Sequence, residues 1–238
     1  MDSVAPGAYN NFAQLEINAA TKNLTLNTNF TGTGQLIKTG PNTLTISVTG
    51  GGANDGTDPT RPKIVYTGGT IIETGRLILA ENNNDNVTRF SGTSNFTINN
   101  NAVLEVNSRT NHTKVTWFDG GGTISGTGSL VKSGVGVAIF RGNINGGVTI
   151  ALTGGNSLID VQGGVLRNDF SNSLWAGNKA GLNISGSGAF TPTFDLWDGD
   201  VFVDEVTGGR LDQQRLERQS DTDHRREQRK RHVHRNDL

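Results

Sequence analysis

Short runs in which apolar residues alternate with other residues recur along most of this chain. Alternation with a period of two is typical of a β-strand with one buried face, and no helical period appears among the runs. Between them lie Gly-Gly, Asn-Asn and Thr-Gly, which permit tight corners. The sequence therefore predicts an all-β chain. The inward positions are read from four pairs, the last a weaker match: Leu24 and Leu26, Leu44 and Ile46, Leu77 and Leu79, and Val103 and Val106.

One motif occurs twice, at residues 31–51 and 125–146, which share G-T-G-x-L-[IV]-K-[TS]-G, with a weaker echo at 184–194. Units of this length cannot bury an apolar face alone and must stack on their neighbours. Apolar residues make up 33% of the chain, below the roughly 45–50% of globular domains, which suits one inward row per strand. We predict a right-handed parallel β-helix, or β-solenoid, over residues 1–209. A β-sandwich is the alternative, although it favours longer strands and a thicker core.

Four segments carry a resemblance to a known family: "GTGQLIKTGPNTLTI", "YTGGTIIETGRLIL", "GTISGTGSLVKSG" and "FDLWDGDVFVDEVTGG". They resemble the autotransporter-associated β-strand repeats of bacterial surface and secreted proteins. Gly32 to Ile46 and then Tyr66 to Leu79 follow the family pattern, except that Pro41 stands where a glycine is frequent. The resemblance implies a β-helical passenger segment carried outside the cell, with repeat units near residues 31–50, 66–80, 121–143 and 182–208.

The expected function follows from this resemblance. It is that of a non-catalytic structural or display segment of a secreted or surface-exposed, outer-membrane-associated repeat protein, with adhesion as its use. Surface glycans or other cell-surface components are the expected partners, bound along exposed strand ladders and the loops at 51–63 and 107–120. No apolar run reaches the ~20 residues of a membrane helix, and the first twenty residues lack the features of a secretory signal. Either the protein is cytoplasmic or this is a piece of a longer secreted chain, and the resemblance favours the second.

The main alternative is a β-helix module that binds or degrades polysaccharide through Asp195, Asp198 and Asp200. Glycosidases use paired carboxylates, and these three are closely spaced. An ordinary interpretation is that Asp198 begins a turn while the others face solvent. His112 is alone in its loop, and "NDGTDPT" at 54–60 lacks the spaced carboxylate of a calcium loop. The chain has no cysteine, which excludes a thiolate metal site and a cysteine nucleophile. From these candidates together we predict no catalytic, cofactor-binding or metal-binding residue and no cofactor.

Two further residue classes have alternative roles. Trp117, Phe118, Trp175 and Trp197 can stack on sugars if exposed in a row, but covering a thin core is the more ordinary role of aromatic residues. Asn-x-Ser/Thr occurs at six positions, which we expect to serve as asparagine ladders between coils rather than as glycosylation sites. These positions are Asn23, Asn29, Asn86, Asn95, Asn111 and Asn183.

The last 29 residues differ sharply from the rest. All 33 glycines lie at or before Gly209, whereas residues 210–238 hold 9 of the 21 Lys+Arg but only 6 of the 22 Asp+Glu, a net of 9 − 6 = +3. This basic segment has no aromatic residue and is interrupted by acids, which argues against a nucleic-acid-binding arm. We expect a disordered tail.

We interpret this tail as the product of a shifted reading frame. If the degenerate codons from Gly209 onward are read from their second nucleotide, one permitted translation of residues 209–219 is "GGSINNGSNGN". Residues 221–237 then permit "TLTIGANNGSGTFTGTI". Both have the Gly, Asn and Thr pattern of the preceding repeats, so we expect a frame disruption near Gly209.

Overall fold

A computed structural model of the chain describes residues 9–10, 13–27, 30–48, 64–81, 87–89, 95–108, 115–118, 122–141, 148–169, 175–186, 191–196 and 201–208. These residues form strands and turns, and none of them is helical. The strands are β1 (Tyr9–Asn10), β2 (Gln14–Asn18), β3 (Leu24–Leu26), β4 (Phe30–Gly32), β5 (Gln35–Thr39), β6 (Thr43–Val48), β7 (Ile64–Tyr66), β8 (Thr70–Ile72), β9 (Arg76–Glu81), β10 (Val87–Arg89), β11 (Phe96–Ile98), β12 (Val103–Asn107), β13 (Val115–Phe118), β14 (Gly122–Gly126), β15 (Ser129–Ser133), β16 (Val137–Arg141), β17 (Val148–Leu152), β18 (Leu158–Val161), β19 (Val165–Asp169), β20 (Gly181–Ile184), β21 (Thr193–Asp195) and β22 (Val206–Gly208).

Successive strands pass from one sheet to the next and then return, so that each pairs in parallel with a strand of the preceding coil. The first sheet has the order β17-β14-β11-β8-β5-β2, and the second has the order β22-β20-β18-β15-β12-β9-β6-β3. The third face is formed by β1-β4-β7 and then by β10-β13-β16-β19-β21. This arrangement confirms the predicted β-solenoid, and the parallel pairing rules out the sandwich, whose sheets are antiparallel.

The core consists of columns of aliphatic side chains, one residue from each coil. In the second sheet, Leu44 pairs with Leu77, Leu77 with Leu104 and Leu104 with Leu130. All four side chains are at most 1% exposed. Because each strand contributes only alternate residues to such columns, a modest apolar content suffices. The predicted inward pair Val103 and Val106 was half wrong, since Leu104 rather than Val103 shares the interior with Val106.

The two copies of the repeated motif lie on different faces of the solenoid. In the first copy, the motif strand is β5 of the first sheet, followed by β6 of the second. In the other copy it is β15 of the second sheet, followed by β16 of the third face. The repeating unit is therefore a corner, consisting of a strand, a turn and a strand, rather than one complete coil.

The chain divides into two units, residues 1–207 and 208–238. The first contains the stacked coils described above. Of the second, the structure describes only Gly208, so the predicted disorder of residues 210–238 lies outside the described residues. Within the described ranges there is no helix long and apolar enough to cross a membrane.

Candidate functional site

The outer face of the second sheet carries a polar network centred on Asp160 of β18. Asn183 Nδ2 and Ser185 Oγ, from the next coil, both donate to Asp160 Oδ1 at 2.8 Å. Gln162 Nε2 donates to the other carboxylate oxygen at 2.7 Å, and Thr207 Oγ1 lies 3.1 Å from Asn183 Oδ1. The network therefore links three successive strands of the sheet, β18, β20 and β22, through their side chains.

Glu105 of β12 forms a second link of this kind. Its side chain is bonded to Arg76 of the preceding coil and accepts a hydrogen bond from Ser133 Oγ of the following coil at 2.5 Å. Only 7% of Glu105 is exposed. A carboxylate in such a position is costly to bury unless it is paired, so the two partners account for its presence. The result is a polar bridge across β9, β12 and β15.

Asp195, the first of the three carboxylates proposed for polysaccharide chemistry, is paired across strands. It lies directly opposite Arg167 in the β19–β21 register. Arg167 Nε and Nη2 each approach Asp195 Oδ2 at 2.9 Å, and Asp195 is 9% exposed. This carboxylate is therefore engaged in joining two coils. Asp198 and Asp200 lie outside the described residues, as does Trp197.

The lysine of each motif copy points into the solenoid. Lys38 is fully buried, and its Nζ donates to Gly40 O, to Asn42 O at 2.7 Å and to Thr74 O at 2.7 Å. The first two carbonyls belong to the turn after Lys38, whereas Thr74 lies in the equivalent turn of the next coil. Burial lowers the pKa of Lys38 from its usual value, because desolvation disfavours the charged form.

Lys132 repeats this arrangement at the next corner. It is 1% exposed and donates to Ser133 O at 2.6 Å, to Gly134 O at 3.0 Å and to Gly163 O of the following coil at 3.0 Å. Both motif lysines therefore join their own turn to the turn stacked on it. We call these two arrangements the lysine clamps. Sequence reasoning identified the spacing that the two motif copies share but not this role of their lysines.

The glycines beside the clamps are required by close backbone packing. Gly75 has φ +70°, and a Cβ at this position would lie 2.6 Å from Gly40 O and equally close to Lys38 Nζ. Gly134 has φ +73°, and its Cβ would lie 2.3 Å from Ser108 O. Any other residue would be strained by its positive φ and would also collide with the neighbouring turn.

Tyr66 and Thr70, the ends of the Y-x-G-G-T segment, are bonded to each other inside the solenoid. Tyr66 is 1% exposed and Thr70 is 2% exposed, and their hydroxyl groups form a hydrogen bond. Thr70 occupies an inward column between Leu36 and Phe96. The bond gives the buried Thr70 hydroxyl a hydrogen-bond partner. Burial raises the pKa of Tyr66 well above its usual value.

At the three described positions, the asparagine side chains bond from one coil to the next as predicted, but their partners are not other asparagines. Asn23 Oδ1 accepts from Thr43 N at 2.9 Å, and Asn95 Oδ1 accepts from Thr123 N at 3.0 Å, each in the next coil. The third described member, Asn183, bonds to Asp160 and Thr207 as described above. These side chains therefore bond to backbone or other polar groups rather than to stacked asparagine copies. Asn29, Asn86 and Asn111 lie outside the described residues.

Trp175 packs in the core rather than on the surface, which is the more ordinary of the two roles predicted for the aromatic residues. It is fully buried, and its ring centroid lies 5.5 Å from that of Phe194. It therefore cannot stack on a sugar. Trp117 and Phe118 lie in β13, and nothing is described of their side chains.

The other sequence candidates cannot be placed. His112 and the 54–60 segment fall outside the described residues, as does the whole loop at 51–63. Of the loop at 107–120, residues 107–108 and 115–118 are described. Among the residues with described positions, no three His, Cys, Asp or Glu side chains are grouped as a metal ion requires.

No protein-family model, curated protein or solved structure matches the chain. The geometry of the solenoid is therefore the basis for the functional proposal that follows.

Proposed function

We propose that this chain is a non-catalytic structural segment of a secreted or surface-exposed bacterial repeat protein, in which it spaces and displays other parts of the molecule for adhesion. One observation carries the proposal. Carboxylates on all three faces are used to bond one coil to the next. They are Glu16, Glu105, Asp160 and Asp195.

This use of charged side chains suits a structural stack of coils better than a reaction centre. A catalytic carboxylate needs access to substrate and a pKa suited to proton transfer. Asp195 is instead nearly buried against Arg167. Together with the lysine clamps, these hydrogen bonds and ion pairs stabilise the packing of each coil on the next along the stack, as expected where each coil depends on its neighbours.

The resemblance of the motif segments to autotransporter-associated repeats supports placing the chain outside the cell. Outward positions of the first sheet carry threonine and serine side chains, as at Thr123, Ser125 and Thr149, which are half-buried and alternate with buried Ile124 and Ile150. Such short polar groups suit contact with surface glycans through many weak hydrogen bonds. Adhesion would then arise from repetition over a long surface rather than from one deep pocket.

A display assay tests the spacing role. The full chain is inserted between a bacterial surface anchor and an epitope, and antibody access to the epitope is compared with that of an anchor-epitope fusion lacking the chain. The proposal expects increased access in cells that carry a thick surface polysaccharide. Equal access with and without the chain, at matched surface abundance, would contradict it.

A second assay separates this role from the polysaccharide-degrading alternative. Reducing-sugar release from a panel of bacterial and host polysaccharides is measured for the wild-type chain and for Asp195→Asn. The structural role expects no release from either protein. Release by the wild type that is lost in the folded Asp195→Asn variant would establish the enzyme and overturn the proposal.

A further inference from the structure

The last described rung of the solenoid is formed by residues 201–208. Leu182 N donates to Glu205 O at 2.7 Å, and Thr207 Oγ1 bonds to Asn183 Oδ1 at 3.1 Å on the outer face. With Thr207 beside Asn183, the neighbouring residue Val206 lies over Leu182. Val206 is therefore the next member of the inward aliphatic column of the second sheet.

This member of the column is far more exposed than the members before it. Leu130, Ile159 and Leu182 are 1%, 0% and 4% exposed, whereas Val206 is 40% exposed. On the same rung, Val201 and Val203 are partly buried against the core, and Phe202 between them is 60% exposed. Among the described residues, β22 is also the outermost strand of its sheet. An apolar surface next to a strand edge is the kind of surface on which a further strand stacks.

We propose that this rung is a stacking surface for one more coil, encoded by the codons of residues 209–238 when they are read from their second nucleotide. The shifted translation supplies "TLTI", the sequence that residues 43–46 use in β6, where Leu44 and Ile46 are fully buried. In the frame as given, the same codons supply no alternating apolar run. The inference concerns the end of the stack and does not depend on the display role.

The nucleotide sequence of the gene through these codons gives the first test. Degeneracy permits the shifted translation but does not require it, so the actual third positions decide. The proposal expects an open shifted frame that encodes glycine, asparagine and threonine around alternating apolar residues. A stop codon early in that frame, or a translation without the alternation, would overturn it.

Thiol labelling gives the second test, since the chain has no cysteine of its own. Val206→Cys is prepared in the chain as given and in a chain whose frame is restored after Gly209. We expect its labelling rate to fall about tenfold or more on restoration, because a covered thiol reacts only after local opening. Equal rates in the two chains would refute the stacking surface.

Thr207→Cys is the matched control. Its neighbour Asn183 places it on the outer face, so a stacked coil leaves it accessible and its rate should change little in the same comparison. Loss of labelling at both positions would indicate general collapse or aggregation and overturn the proposal. Protection of Val206→Cys in the original chain as its concentration rises would instead identify a second copy as the occupant, and would also overturn it.

Discussion

Replacing Lys38 with methionine removes the ammonium group of one lysine clamp while keeping a side chain of similar length. Three backbone carbonyls, those of Gly40, Asn42 and Thr74, then lose their donor. An acceptor left unsatisfied costs about 1–3 kcal/mol, and water can reach part of this turn, so the lower end of that range applies to each. We expect the free energy of unfolding to fall by about 3 kcal/mol.

Urea unfolding followed by tryptophan fluorescence and far-ultraviolet circular dichroism measures this change. Agreement between the two signals is needed because stacked repeats can unfold in parts. Lys132→Met should show a loss of the same order, since its contacts are equivalent. Lys179→Met, at an exposed position, is the control and should change stability by less than about 0.5 kcal/mol. If Lys38→Met were no more destabilising than this control, the clamp would make no net contribution to stability.

Three further predictions concern the same interior. Burial lowers the pKa of Lys38, so between that lowered value and 10.5 the unfolded chain binds the proton that the folded chain has lost. The free energy of unfolding of the wild type relative to that of Lys38→Met should therefore rise with pH through this window and level off above it. A difference that falls with pH would contradict this prediction. Tyr66→Phe leaves the Thr70 hydroxyl without this partner and should cost about 1–2 kcal/mol. Adding Thr70→Val should recover part of that loss in a double-mutant cycle, whereas strict additivity would show that the bond contributes nothing. Gly75→Ala should lower the thermal stability more than Gly177→Ala does. Both glycines have positive φ, but only at Gly75 would the added methyl group contact neighbouring backbone. Equal losses of stability in the two variants would leave conformational strain of about 1–2 kcal/mol as the sole cause.

The strands were largely predictable because alternation is a local signal. The segment "GQLIKTG" contains β5, and "GTIIETGRLILA" contains β8, the turn after it and all but the last residue of β9. Strands too short to show a clear alternation were not predicted, such as β10 at Val87–Arg89, which has only three residues. The Val103 error has a related cause, since Val103 and Leu104 are both apolar and the choice between them depends on the register with β9.

The contacts of the candidate site could not be predicted in the same way. Glu105 bonds to Arg76 and Ser133, which are 29 and 28 residues away. Coil length varies along this chain, so sequence spacing does not give the partner in the next coil. A lysine at an inward position also contradicts the usual alternation of inward apolar and outward polar residues along a strand. Only the carbonyl groups of its own turn and of the stacked turn show how Lys38 is accommodated.

The displacement of the repeated motif by one face has a consequence for how such an array can change in length. Lys38 and Lys132 mark equivalent points of the two motif copies, but one lies in the first sheet and the other in the second. Recombination between the two copies would delete or duplicate three coils plus one additional side. Every strand after the recombination site would then lie on the adjacent face of the solenoid. Genetic gain or loss at these sites would therefore alter which residues share an outer surface, as well as the number of coils.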